Sequence, residues 1–196
     1  MNVVAFRTKR DGKWEDEKWV LPTDREGMMK DYEEWSDSVK KILSLMEKPD
    51  ICALFDYPPA KSYYKRQLCL SGDGAHASTP HQGAGAGMAL EDAYVMSVVL
   101  AEIEDASEIE KAFEAIDAVR RPRTQRSVTT SREAAEVYEC EADGIGEDRE
   151  AFRRNLVAVR YKCFWEKYLE EDLEVAIKIL RGKRPGWIRG LEEMAS

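Results

Sequence analysis

Apolar residues recur at every third or fourth position in several stretches of the chain, and each stretch predicts a helix with one buried face. Val39, Ile42, Leu43 and Met46 mark a helix from Ser36 to about Glu47, closed by Pro49-Asp50. Leu90, Ala93, Ser97 and Leu100 mark the inner stripe of a second, running to about Ile103. Ile109, Ala112, Phe113, Ile116 and Val119 mark a third that Pro122 ends or kinks, with a fourth from about Thr124 to Tyr138. Glu150–Trp165 and Glu170–Leu180 read as two amphipathic helices, separated from the fourth by a turn at Asp143–Gly146 and followed by a loose Gly- and Arg-rich arm over Gly182–Gly190. Shorter apolar runs read as strands: Asn2–Phe6 turning at Asp11-Gly12 to pair with Lys18–Leu21, then a buried Ile51–Tyr57 and a buried Leu68-Cys69-Leu70. After Lys18–Leu21, which Pro22 ends, Thr23 is placed to cap a polar segment containing Met28, Met29 and Tyr32.

The last of these runs opens the most informative stretch, QLCLSGDGAHASTPHQGAGAGMAL, residues 67–90. The strand stops at Gly72-Asp73-Gly74, small and turn-forming residues follow through Pro80, and Gly83, Gly85 and Gly87 lead into a helix. Such a loop keeps its backbone bare where something approaches the main chain closely. Free N–H groups at the helix start, with the positive end of the helix dipole, attract anionic or carbonyl oxygens. Asp73 adds a fixed acceptor able to take a sugar hydroxyl. A dinucleotide GxGxxG is excluded because Met88 stands where its third Gly belongs. The only histidines, His76 and His81, lie five apart around Pro80 and match no zinc spacing, so no metal is expected.

The remaining features narrow the class. A chain of 196 residues with net charge −8 at pH 7 offers no basic surface to nucleic acid, and no apolar run approaches the ~20 residues of a membrane span. Cys52, Cys69, Cys140 and Cys163 are scattered as in reduced, cytoplasmic proteins. Arg120, Arg121, Arg123 and Arg126 form a basic cluster that abundant Asp and Glu can pair. Trp14, Trp19, Trp35 and Tyr63 are expected to pack into cores.

GDGAHASTPHQGAGAGMALEDA, residues 72–93, resembles the second flavin-binding motif of FAD-dependent aromatic-ring monooxygenases, the group of para-hydroxybenzoate hydroxylase, and is most similar to their salicylate hydroxylase-like branch. The order of NVVAF, Trp35 and CALFDYPPAKSYYKRQLCLSGD is similar to that branch as well. One departure is Gly74, where the family usually has Ala. The resemblance implies FAD as cofactor, held by Gly72, Asp73 (ribityl chain), Pro80 and the backbone of Gly83, Ala84, Gly85, Ala86 and Gly87 (flavin ring). It implies NAD(P)H and O₂ as co-substrates and a small aromatic acid as substrate. No catalytic base is assigned, and His81 is a candidate only for lining the reaction site.

The fold class implied is α+β or α/β: part of a substrate-binding β-sheet over residues 1–66, the strand–loop–helix of an FAD-binding domain over 67–105, and a helical segment over 106–196. The family's GxGxxG, which holds the ADP half of FAD, has no counterpart in the sequence. The chain is therefore expected to correspond to the C-terminal half of a larger fold, to bind FAD weakly by itself, and to associate with a missing N-terminal half or with itself. The alternative is a non-catalytic remnant or interaction protein.

Overall fold

The computed structural model describes residues 3–8, 13–146 and 148–182, with the side chains of 157–159 and 163 excepted. The chain divides into two units, residues 1–54 and 55–196.

In the first unit, strand β1 (Val20–Pro22) pairs antiparallel with β2 (Asp50–Cys52), Leu21 opposite Ile51. Between them lie helices α1 (Arg25–Asp31) and α2 (Asp37–Leu43). Asp24, rather than Thr23, caps α1, accepting the Gly27 N–H at 2.6 Å. Met28, Tyr32 and Leu43 form a small core. Residues 3–8 are irregular, so β1 takes β2 as its partner in place of an N-terminal strand, and the Asp11-Gly12 turn lies outside the described residues. The run expected as a buried strand over Ile51–Tyr57 is strand only to Cys52, and Leu54, Phe55 and Tyr57 are exposed. Trp19 and Trp35 are also exposed rather than buried; Trp14 is half-buried and donates its indole N–H to the Lys18 carbonyl.

The second unit begins with a two-stranded hairpin, β3 (Tyr64–Lys65) against β4 (Leu68–Cys69). Leu68 and Leu70 are exposed, so this short run is an edge rather than a buried strand. Among the described residues the strands form two separate pairs and no wider sheet. The one-turn helix α3 (Asp73–His76) and a 3₁₀ turn at Pro80–Gln82 lead into α4 (Gly85–Ala101). Helix α5 (Ile109–Tyr138) then runs 30 residues straight through Pro122. Proline removes one helical N–H and crowds the preceding turn. Here Pro122 is exposed, and burial of the helix on either side of it outweighs the defect. Helix α6 (Arg149–Arg154), a π-helical stretch (Asn155–Tyr161) and α7 (Lys162–Trp165) form one continuous helical segment, and α8 (Leu169–Leu180) follows. The Gly182–Gly190 arm lies outside the described residues beyond Gly182.

Among the described residues, two apolar cores hold this unit together. Val95 and Val99 of α4, Ala112, Ala115, Ile116 and Val119 of α5, and Ala176, Ile179 and Leu180 of α8 form the larger one. Fully burying a Val is worth about 1.5–3 kcal/mol, and both valines of α4 are fully buried. The other joins Ala134 and Val137 of α5 to Ile145, Ala151 and Leu156. Helix α4 buries Met88, Asp92, Val95 and Val99; of the expected stripe Leu90, Ala93, Ser97 and Leu100 only Leu100 packs against the core, and Leu90 is 73% exposed. It is apolar on both sides, so spacing alone did not select the face.

Candidate functional site

The loop from Ser71 to Ala84 is held against α4 and α5 by polar contacts. Gly72 adopts φ 57°, ψ −143°, a conformation open mainly to Gly, and a methyl there would stand 3.5 Å from Ala89 Cβ. The Gly72 N–H donates to Asp92 Oδ2 at 3.1 Å, and His76 Nε2 donates to the same oxygen at 2.6 Å. Arg120, 1% exposed, donates from Nε to Asp92 Oδ1 at 2.7 Å and from Nη2 to the Met88 carbonyl at 3.3 Å. Its Nη1 lies 2.9 Å from Glu91, which also binds Arg123 through two 2.7 Å contacts.

Burial alone would raise the Asp92 pKa, but hydrogen bonds from His76, Arg120 and Gly72 overcome this and hold the carboxyl below its usual range. Burial likewise opposes ionisation of Glu91, and Arg123 and Arg120 prevail. The arginine cluster is thus mostly carboxylate-paired, Arg121 on Asp117 at 3.0 Å and only Arg126 exposed.

The far side of the loop is anchored to the polar middle of α5. Ser131 donates to the Thr79 carbonyl at 2.6 Å, and the Gln82 side chain lies between Thr130 Oγ1 (2.9 Å) and the Arg160 carbonyl (3.2 Å). Tyr63, 4% exposed, donates its N–H to Asp117 at 2.8 Å, and its hydroxyl lies 2.9 Å from Thr124 Oγ1. Burial, above all, raises the Tyr63 pKa.

What this framework presents outward is nearly bare backbone. Asp73, Gly74, Pro80, Gly83, Ala86 and Gly87 are exposed; Gly72, Ala84, Gly85 and His81 are partly covered. A methyl placed on Gly74, Gly83 or Gly87 would meet nothing within 4 Å, and Gly83 sits at φ 63° in the left-handed region. The Met88 amide is the first of α4 to bond back along the helix, to the Ala84 carbonyl. Neither a side-chain cap nor an acidic residue serves the first turn, so the amides of Gly85, Ala86 and Gly87 are left to a ligand or water. Unbonded donors at the helix start and open space at Gly83 and Gly87 suit an oxygen-bearing group, while a methyl on Gly85 would stand 3.7 Å from Ser78 Oγ. His81 is half-buried, and burial lowers its pKa.

His76, weighed in the sequence as a metal ligand, is instead buried against Asp92 and 6.1 Å from the Tyr63 ring. Sequence reasoning missed Asp92 and the burial of Arg120. The signal was present: Asp92 is a lone carboxylate in the apolar series Met88, Val95, Val99, and Arg120 follows Ile116 and Val119 on the inner face of α5.

Residues 58–131, enclosing all of these groups except Arg160, match the family model described as FAD binding domain. A salicylate hydroxylase of Pseudomonas putida is 35% identical over 97% of this chain, and a 6-methylsalicylate 1-monooxygenase of Aspergillus terreus 31% identical over 98%. The chain spans less than half the length of these curated relatives, 44% and 37%. A solved salicylate hydroxylase in complex with substrate superposes over 89% of this chain and 43% of its own with a TM-score of 0.80 at 36% identity. At 22% identity and a TM-score of 0.52, the Klebsiella pneumoniae protein HpxO, solved with FAD and uric acid, shares the fold over 82% of this chain and 38% of its own. The chain belongs to the FAD-dependent aromatic-ring monooxygenases, in their salicylate hydroxylase-like branch.

Proposed function

We propose that this chain carries the flavin-facing part of a hydroxylase that uses NAD(P)H and O₂ to hydroxylate a phenolic acid of the salicylate kind. The observation that supports this most directly is the uncapped start of α4, with the Gly85, Ala86 and Gly87 amides unbonded within the helix beside exposed glycines. In the proposed complex these amides donate to the carbonyl edge of the ring, Asp73 accepts a ribityl hydroxyl, and Pro80 covers the ring's margin. FAD supplies the redox chemistry when bound. His81, whose pKa burial lowers, lines the edge.

The pyrophosphate and adenosine are assigned to a segment outside these 196 residues that bears the GxGxxG fingerprint. The test is salicylate-stimulated NADH oxidation with added FAD, by the chain alone and with such a segment supplied. Stimulation in the combined sample is expected. Its absence, with both parts folded, would favour the remnant or interaction-protein reading.

A further inference from the structure

Asp92 binds the Asp73–His76 turn at both of its ends. We infer that Asp92 is the positioning residue of the flavin loop, fixing the direction in which Asp73 projects without touching the cofactor itself; this rests on the flavin role proposed above for Asp73.

One oxygen, Oδ2, takes the N–H of Gly72, which precedes the turn, at 3.1 Å and Nε2 of His76, which ends it, at 2.6 Å; Ser71 Oγ lies 3.4 Å from the same atom. The other oxygen is occupied by Arg120 Nε at 2.7 Å. Arg120 therefore sets the rotation of the carboxylate and leaves Oδ2 aimed at the turn. With Gly72 drawn inward and His76 buried, Asp73 between them is left on the exposed side. Hydrogen bonds to a charged, buried acceptor are short and strong compared with neutral ones, so this is a stiff support. Asp92 is itself 4% exposed and cannot reach a ligand in the open loop.

The experiment is a double-mutant cycle of Asp73→Ala and Asp92→Asn in this chain supplied with the GxGxxG-bearing segment, stripped of FAD and re-titrated, with urea unfolding measured alongside. Asn keeps the size of Asp92 and an acceptor for Gly72 but removes the charge that holds His76 and Arg120. Asp73→Ala and Asp92→Asn are each expected to weaken FAD binding about tenfold. In the Asp92→Asn background Asp73→Ala should cost less than about twofold, because a misdirected Asp73 has little left to lose. The visible circular dichroism of bound flavin should change in Asp92→Asn.

Equal losses from Asp73→Ala in both backgrounds would overturn the inference while leaving the flavin site standing. No effect of Asp73→Ala, or no FAD uptake by the parent, would instead sink the flavin reading itself. Should Asp92→Asn fail to fold, His76→Phe removes one of the three contacts on Oδ2 and enters the same cycle, with the same non-additivity expected and additivity again refuting it.

Discussion

Replacing Arg120 with Met removes the charge that neutralises Asp92 while keeping much of the side-chain volume. Glu91 retains Arg123 at 2.7 Å, so the loss falls mainly on Asp92, left buried with Gly72, Ser71 and His76. Breaking a buried ion pair from one side costs about 3–5 kcal/mol, most of it the uncompensated charge. At roughly 2–4 °C per kcal/mol for a domain of this size, Tm should fall by roughly 6–20 °C. Urea unfolding followed by far-UV circular dichroism, extrapolated to water, measures the loss. The double variant Arg120→Met with Asp92→Asn should lose at least ~1 kcal/mol less than the sum of the two single changes, because the orphaned charge is gone. A loss below ~1 kcal/mol for Arg120→Met, or strict additivity, would refute the account of Arg120 as the counter-ion that makes Asp92 tolerable.

Gly83→Ala meets no neighbour but must adopt φ 63°, so stability should fall by only about 1–2 kcal/mol while FAD affinity falls at least tenfold; unchanged affinity in a flavin titration would remove this glycine from the site. Asp92 and Glu91 have folded pKa values below their unfolded ones, so their contribution is complete above about pH 5 and is lost as pH falls through the lower folded values. Unfolding free energy measured from pH 6 down to 3 should therefore decline below about pH 5, and a flat profile there would contradict the pairing. Pro122→Ala restores a helical N–H on an exposed position of α5 and should raise stability by about 1–3 kcal/mol, seen as a higher urea midpoint; no gain would mean that the helix is adapted to the ring.

The Gly-rich loop was legible because its residue types are dictated by local backbone need: Gly72 and Gly83 occupy positive φ, and a helix starting at Gly85 follows as the spacing implies. The helices after it were legible from their periodicity, except where a tertiary effect intervened. Proline at 122 is a local stop signal, yet the cores on either side of it carry α5 through. The face of α4 was misjudged at Leu90 because Leu90 is as apolar as Val95 and Val99, and only contact with α5 and α8 distinguishes them. The strands were overestimated since short β-branched runs report apolar character, not pairing, and Ile51–Tyr57 finds a partner for only its first residues. The buried ionic cluster was invisible for a related reason: Asp92 and Arg120 lie 28 positions apart, and their bond exists only once α4 and α5 meet.

Helix α5 is a beam with grease at each end and hydroxyls in between. At ~1.5 Å per residue it is about 45 Å long, seated at one end by Ala112–Val119 and at the other by Ala134 and Val137, while Thr124, Thr130 and Ser131 bear the loop at midspan. A protein built this way can exchange apolar residues of like volume at either support and still deliver the same cradle at its centre.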